Sequence, residues 1–248
     1  MSKKIYLDYQ ATTPVSKEIL EKMIPYFSDN FGNPHSNNHS YGRNASEAVE
    51  EARENIANLI NANKEEIIFT SGATESNNFA ILGVALALNS KKRHIVTCEV
   101  EHAAILNPLK QLEALGFHVD YLPVDNVGRV DPKKVKDALK DSTCLVTIQH
   151  ANSEVGTLQN IKEIGSLIKN NDILFHTDAV QSVGKLAVNV NDISVDLVIC
   201  FIVVIASSFK IFCEYSLLKQ YGCLSDIVSI GLLRLRETLS SSLSLGTP

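Results

Sequence analysis

The sequence lacks the features of several protein classes. Its net charge is −5, with 23 Lys and Arg against 28 Asp and Glu, so no basic excess indicates a nucleic-acid or anionic-membrane partner. The N-terminal residues turn polar without an apolar signal core, which argues against secretion. One apolar run, residues 197–206, has ten residues, whereas a bilayer-spanning helix needs about 20. These absences predict a cytoplasmic protein without nucleic-acid or membrane partners.

Cysteine is also sparse and irregularly spaced. Five cysteines stand at positions 98, 144, 200, 213 and 223. No two of them form a Cys-x-x-Cys pair, and no histidine follows His176. Such a set favours reduced thiols in a cytosolic protein and predicts no metal site. Because Cys98 and Cys144 lie in or beside apolar strand patterns, we interpret them as packed side chains.

Up to about residue 198, strand and helix patterns alternate. Six segments predict strands, at 67–70, 94–98, 118–122, 144–149, 173–178 and 196–200. Helical patterns lie between them at 74–89, 102–115, 132–140 and 160–170, and an earlier one follows the candidate cap Ser46. Several strands are apolar throughout, as in strands covered on both faces. The alternation predicts an α/β fold with a mostly parallel, doubly wound sheet.

Polar groups follow four predicted strands at the end where such sheets bind ligands. Ala73 and Thr74 follow the first strand, Glu101 and His102 follow the second, Asn152 the fourth and Asp178 the fifth. The first of these junctions, with Gly72 ahead of a helix start, directs backbone N–H groups and a hydroxyl toward one point, which suits a phosphate. An ordinary strand–helix turn remains the alternative interpretation of that motif alone.

These segments resemble the class V aminotransferase family, and within it the NifS/IscS-type cysteine desulfurases. The resemblance covers residues 4–198 nearly without a gap, and it includes the opening Tyr6–Pro14 and the segment Phe31–Ser36. It implies the large domain of a pyridoxal-phosphate-dependent transferase of the aspartate aminotransferase-like fold type I, incomplete here and homodimeric when intact. Residues 1–198 are then the N-terminal part of that domain, and residues 199–248 are a tail outside the family.

The resemblance implies catalytic roles for two residues. His102 stacks on the pyridine ring of pyridoxal 5'-phosphate and shares in proton transfer, for which an imidazole is suited near neutral pH. Asp178 keeps the ring nitrogen protonated, because an adjacent carboxylate favours the charged ring that withdraws electrons. The alternatives are a histidine that caps a helix and an aspartate that caps one.

The remaining implied cofactor contacts are shared by four residues. Ala73 and Thr74 bind the phosphate, and Gln181 donates to the phenolic oxygen of the cofactor. Asn152 lies beside that oxygen and the substrate carboxylate, with a simple turn asparagine as the alternative. We interpret Lys185 as a surface charge.

The implied reaction removes sulfur from L-cysteine, which leaves alanine and an enzyme persulfide for iron–sulfur scaffold or acceptor proteins. Family members place Ser-x-His-Lys after the strand that begins at Asp196, but Phe201–Val204 occupies that place here. The Schiff-base lysine is therefore missing. The C-terminal portion of the family, with the loop that carries the persulfide-forming cysteine, is missing as well. A tethered amine in the correct geometry is worth about 7–11 kcal/mol of barrier, so we expect this chain to be inactive alone.

Two other functions stay open. The chain is either a non-catalytic partner that modulates a full-length desulfurase, or a related class V aminotransferase or selenocysteine lyase that uses Lys210. Residues 199–248 contain nine serines and neither Asn nor His. That change of composition indicates either a strand followed by filler or a shifted reading frame.

Overall fold

The computed structural model describes residues 4–87, 92–169, 172–200 and, for the backbone, 203–206. Its strands are β1 (Ile67–Phe69), β2 (His94–Cys98), β3 (His118–Leu122), β4 (Thr143–Thr147), β5 (Leu174–Asp178), β6 (Leu197–Cys200) and β7 (Val203–Ala206). Its helices are α1 (Lys17–Met23), α2 (Pro25–Ser28), α3 (Ser40–Ile60), α4 (Ala73–Ala87), α5 (Ala103–Ala114), α6 (Pro132–Ala138), α7 (Ile161–Ile168) and α8 (Val190–Ile193).

The strands form one sheet in the order β1-β7-β6-β5-β4-β2-β3. Neighbours from β6 to β3 are parallel, while β7 runs antiparallel to both β6 and β1. Consequently β1 points the same way as the parallel strands. The sheet confirms the predicted mostly parallel α/β class.

Helices cover both faces of the sheet. The connection through α5 moves one way along the sheet, whereas those through α6 and α7 move the other way. Right-handed crossovers therefore place these two sets on opposite faces. The core beneath α3, α6 and α7 takes alternate strand residues, among them Val96, Cys98, Val146 and Ile148. Cys98 and Cys144 are fully buried, as the sequence predicted.

The apolar run 197–206 is a pair of strands rather than a single one. Its first half forms β6, and its second half returns as β7 between β6 and β1. Pairing on both sides fills the gap between those strands and satisfies the backbone groups of the return segment.

The predicted start of α3 is wrong. The helix begins at Ser40, and His39 is its N-cap, with Nδ1 accepting a hydrogen bond from the Gly42 N–H at 3.0 Å. Ser46 lies inside the helix. A ring nitrogen can replace the usual hydroxyl as a cap, and the sequence pattern gave no sign of this. Among the described residues, no helix is both long and apolar enough to cross a membrane.

Candidate active site

Four strand–helix junctions meet at one edge of the sheet. Because β1, β2, β4 and β5 point the same way, the residues after them share the carboxyl-end edge. The winding direction reverses between β2 and β4, and open α/β sheets bind ligands in the crevice at such a reversal. We refer to the junctions after these four strands as the rim.

Asp178 ends β5 and is held on both carboxylate oxygens. Its Oδ1 accepts from the Val180 N–H at 3.0 Å, and its Oδ2 accepts from Nδ2 of Asn77 at 2.9 Å. Burial raises the pKa of Asp178 above its usual value, although these hydrogen bonds and the charge of His102 oppose the rise. A cation placed beside Asp178 would favour the carboxylate form.

His102 is exposed and caps α5. Its Nδ1 accepts a hydrogen bond from the Ala104 N–H at 3.1 Å, so the capping interpretation describes the contacts that this ring makes. With Nδ1 used as an acceptor, the neutral ring carries its proton on Nε2. The charge of His102 acts on Asp178, so the structure brings the two predicted catalytic residues within electrostatic range.

The turn before α4 has open space in front of it. A Cβ atom built on Gly72 would meet no atom within 4 Å. The first N–H groups of α4, from Ala73 and Thr74 onward, have no acceptor within the helix. At the same end, the carboxylate of Glu75 accepts from the Ser71 N–H at 2.6 Å and from the Ser71 hydroxyl. These hydrogen bonds from Ser71 lower the pKa of Glu75. The turn therefore offers donors and space to an anion, with one carboxylate already beside it.

Asn152 is buried and shapes a loop. Its Oδ1 accepts from the N–H groups of Glu154 at 2.9 Å and Val155 at 3.0 Å. Its Nδ2 donates to the Val100 carbonyl at 3.1 Å. These contacts are those of a turn asparagine, which leaves its amide little capacity for a ligand.

Gln181 is half-buried and has a contact at each end of its amide. Its Oε1 accepts from Nζ of Lys185 at 2.9 Å, and its Nε2 lies 3.4 Å from the Gln10 carbonyl. The Lys185 amine is exposed, in keeping with the predicted surface charge, and it stands beside a predicted cofactor contact.

The sequence placed Glu101 after the second strand, beside His102, but gave it no role in the site. The residue is 6% exposed, and its Oε1 accepts from the Gln149 N–H at 2.8 Å and from Sγ of Cys98 at 3.1 Å. Its Oε2 has no hydrogen-bond partner among the described residues. Burial raises the pKa of Glu101 to about 8, and the charge of Asp178 acts in the same direction. An acidic residue three positions after the end of an apolar strand was the available signal.

The sequence also gave no role to Asn77, whose side chain links α4 to Asp178 at the rim. Both Ser76 and Asn77 are fully buried although they are polar. Two polar residues on the apolar face of a predicted helix were the signal. From Asp178 the connection continues to β4, because the His150 N–H donates to the Asp178 carbonyl at 2.8 Å.

A further hydrogen bond joins the junction after β4 to the junction after β2. Nε2 of Gln149 donates to the Val100 carbonyl at 2.6 Å, the same carbonyl that Asn152 contacts. Beside this link an open cavity of about 530 Å³ is lined in part by Val100, Glu101 and Asn152. Hydrogen bonds thus connect the junctions after β2, β4 and β5 with α4.

The profile of the family "Aminotransferase class-V" matches residues 5–206. The chain belongs to this family. This class-V aminotransferase is 54% identical over 197 residues to the cysteine desulfurase IscS of Dictyoglomus turgidum, covering 79% of this chain and 50% of that protein.

Solved structures agree in sequence and in fold. "SspA in complex with cysteine" is 44% identical with a TM-score of 0.75, covering 78% of this chain and 55% of that one. A "NIFS-like protein" is 36% identical with a TM-score of 0.79, covering 84% of this chain and 60% of that one. The predicted NifS/IscS-type resemblance and the incomplete fold type I domain are confirmed. The class-V aminotransferase chain spans about half the length of the curated relative.

Several predictions about this family member fall outside the described residues. Lys210, Cys213 and Cys223 all lie there, as do positions 201 and 202 of the segment that replaces Ser-x-His-Lys. Positions 203 and 204 of that segment are valines in β7. The division of the chain at residue 198 stays a prediction.

Proposed function

We propose that this chain is the cofactor-binding N-terminal part of a cysteine desulfurase, that it binds pyridoxal 5'-phosphate without a covalent link, and that it releases no sulfur alone. The observation that carries the proposal is the connected rim, in which Asp178, Asn77 of α4 and His102 interact although they come from separate junctions. The similarity to IscS supports L-cysteine as the substrate of the whole protein, and so does SspA, which is described in complex with cysteine.

The residues at the rim suit the parts of this cofactor. The donors at Ala73 and Thr74, with the open space at Gly72, suit a phosphate. Asp178 suits a protonated ring nitrogen, because burial makes its carboxylate favour a nearby cation. When bound, the cofactor supplies an electron sink for a carbanion next to an amino group. Gln181 is assigned to its phenolic oxygen, whereas Asn152, whose amide is used within its own loop, shapes the site beside that oxygen.

The side chains of the chain itself perform the supporting steps. Asn77 and Val180 fix the orientation of the Asp178 carboxylate. His102 caps α5 through Nδ1, which leaves its Nε2–H to donate a hydrogen bond to a bound group, and the proton transfer assigned to this ring requires Nδ1 to release the Ala104 N–H. Glu101 keeps its proton at neutral pH and holds the ends of β2 and β4 together.

Three further assignments belong to the same proposal. The whole protein acts in the cytoplasm as a homodimer and passes sulfur to iron–sulfur scaffold or acceptor proteins.

Valine at positions 203 and 204 leaves no amine in the place of the family lysine, and loss of a tethered amine costs about 7–11 kcal/mol of barrier. This loss is the reason that we assign no turnover to the chain alone.

Titration with pyridoxal 5'-phosphate tests the proposal. We expect saturable binding by absorbance, no lysine-bound cofactor by mass spectrometry after borohydride reduction, and no sulfide from added cysteine. Asp178→Asn is expected to weaken binding about tenfold, the equivalent of about 1.4 kcal/mol. Asp192→Asn, at an exposed aspartate, is the matched control and should leave binding unchanged.

The contradicting results are equally distinct. Sulfide release from cysteine would refute the assignment of an inactive chain, and its loss in Lys210→Ala would favour the related lyase or aminotransferase. Equal binding by the wild type and Asp178→Asn would remove the rim as the cofactor site.

A further inference from the structure

Three metal-ligating side chains meet at the edge of the sheet opposite the rim. His94 is the first residue of β2, and His118 is the first residue of β3. The parallel register pairs these two residues directly. Asp120 lies two positions after His118, and a strand places residues i and i+2 on the same face. All three side chains therefore project from one face at the same corner of the sheet.

The donor atoms of this cluster are close together. Nε2 of His94 lies 3.0 Å from Oδ2 of Asp120, and Nε2 of His118 lies 3.0 Å from Oδ1 of the same carboxylate. One donor atom from each residue lies within 4.8 Å of the others. Tetrahedral zinc with bonds of about 2.0–2.2 Å sets its ligand atoms on the order of 3.3–3.5 Å apart. The separations in this cluster, from 3.0 Å to less than 4.8 Å, include that spacing.

The buried member of the cluster is already oriented. The Nδ1 of His94 is 2.8 Å from Oγ1 of Thr143, and the ring is 1% exposed. Metal-binding histidines characteristically hold their second ring nitrogen by such an outer partner, which fixes the ring. His118, by contrast, is exposed and can rotate.

A lysine ammonium now neutralises the cluster. Nζ of Lys140 lies 2.8 Å from Oδ2 of Asp120 and 3.1 Å from Nε2 of His94. Although burial opposes it, the hydrogen bonds from Lys140 and His94 hold the pKa of Asp120 below its usual value. The side chain of Lys140 is 45% exposed, so it can turn into solvent when another cation arrives. The ammonium group of Lys140 therefore already places a positive charge beside the donor atoms of His94 and Asp120.

We propose that His94, His118 and Asp120 bind a divalent transition-metal ion of the zinc type, in competition with the ammonium group of Lys140. Two imidazoles and one carboxylate are a donor set that such ions accept, with water completing the coordination. The sequence predicted no metal site, because it has no Cys-x-x-Cys pair and no histidine after His176. His94 and Asp120 are 26 positions apart and share no spacing motif. Strand register, rather than local spacing, brings these ligands together.

Calorimetric titration of the untagged full chain with Zn²⁺ tests this site. We expect one binding event, weakened by at least about tenfold in His118→Ala and in Asp120→Asn. Lys140→Met should tighten binding several-fold, because the competing cation is removed. His35→Ala removes an exposed histidine outside the cluster and should bind as the wild type does. Circular dichroism establishes that each variant folds.

The exposed ligand makes the outcome decisive. Because the His118 side chain is 69% exposed, its removal should not prevent folding. A folded His118→Ala variant that binds Zn²⁺ as tightly as the wild type would overturn the proposal, since the ion would then rest on cysteines or other groups. Equal affinities for the wild type and Lys140→Met would overturn the competition with the ammonium.

Discussion

At the scale of single residues, the rim combines buried acids with few compensating charges. Glu101 and Asp178 both have raised pKa values because burial penalises their charged forms, and the charge of Asp178 adds to the rise at Glu101. Asp178 received its role from the family resemblance, because a carboxylate at a strand end is by itself more often a helix cap. The sequence gave no role to Glu101 or Asn77, whose importance depends on burial that no local pattern encodes.

The raised pKa of Glu101 predicts a stability that depends on pH. The pKa rises from an unfolded value of 4.5 to about 8 in the folded state. Between these pH values the unfolded state loses a proton that the folded state keeps. The stability that Glu101 contributes is therefore fully present below pH 4.5 and is lost as the pH rises toward 8. Glu101→Gln removes this titrating group. Relative to the wild type, the free energy of unfolding of the variant should therefore rise by a few kcal/mol between pH 4.5 and pH 8.

Urea denaturation at several pH values between 5 and 8 measures this difference. The neighbouring exposed residue supplies the control, since Glu99→Gln should follow the wild-type curve. Parallel curves for Glu101→Gln and the wild type would mean that Glu101 is already ionised in the folded protein.

At the scale of elements, close backbone packing decides where helices fit. In α7, a Cβ atom added at Gly165 would lie 2.2 Å from the Ile193 carbonyl oxygen of α8 and 3.1 Å from that of Ser194. The backbone of one helix therefore approaches the end of another without an intervening side chain. Neither amphipathic pattern nor helix propensity indicates such an approach, so this glycine could not be assigned from sequence.

Gly165→Ala should destabilise the chain despite the better helix propensity of alanine. The propensity gain is about 1 kcal/mol, whereas forcing a backbone carbonyl aside costs on the order of 1–3 kcal/mol or more. Ser166→Ala, at the next and exposed position of α7, has no such contact and should be neutral or slightly stabilising. The free energies of unfolding of the two variants test this, and a gain in stability at position 165 would show that α8 moves away freely.

At the scale of the whole molecule, the described residues divide into a covered sheet and an open N-terminal segment. Helices α1 and α2 contain no buried residue. Apolar side chains before α3 are exposed, including Leu7 at 85% and Phe27 at 78%. Strands β2, β4 and β6, in contrast, bury all their apolar side chains. The stability of the described fold therefore lies in the sheet and the helices that cover it.

Deletion of residues 1–28 should change the free energy of unfolding by no more than about 1 kcal/mol, because fully burying one large apolar side chain is worth about 1.5–3 kcal/mol. Ile164→Ala, in the core beneath α7, is the contrasting variant and should cost about 2–5 kcal/mol. Chemical denaturation compares the two. A loss on deletion as large as that of Ile164→Ala would place the N-terminal segment within the cooperative core.

The sequence by itself determined the alternation of strands and helices, since local apolar periodicity specifies each element. It also determined which polar residues share an edge, because parallel strands bring their carboxyl ends together. Tertiary structure alone decided the antiparallel return of β7, the bond of Asn77 to Asp178 across 101 positions, and the meeting of His94 with Asp120. These depend on strand order and register, which arise from pairing between distant segments and leave no periodic trace in the chain.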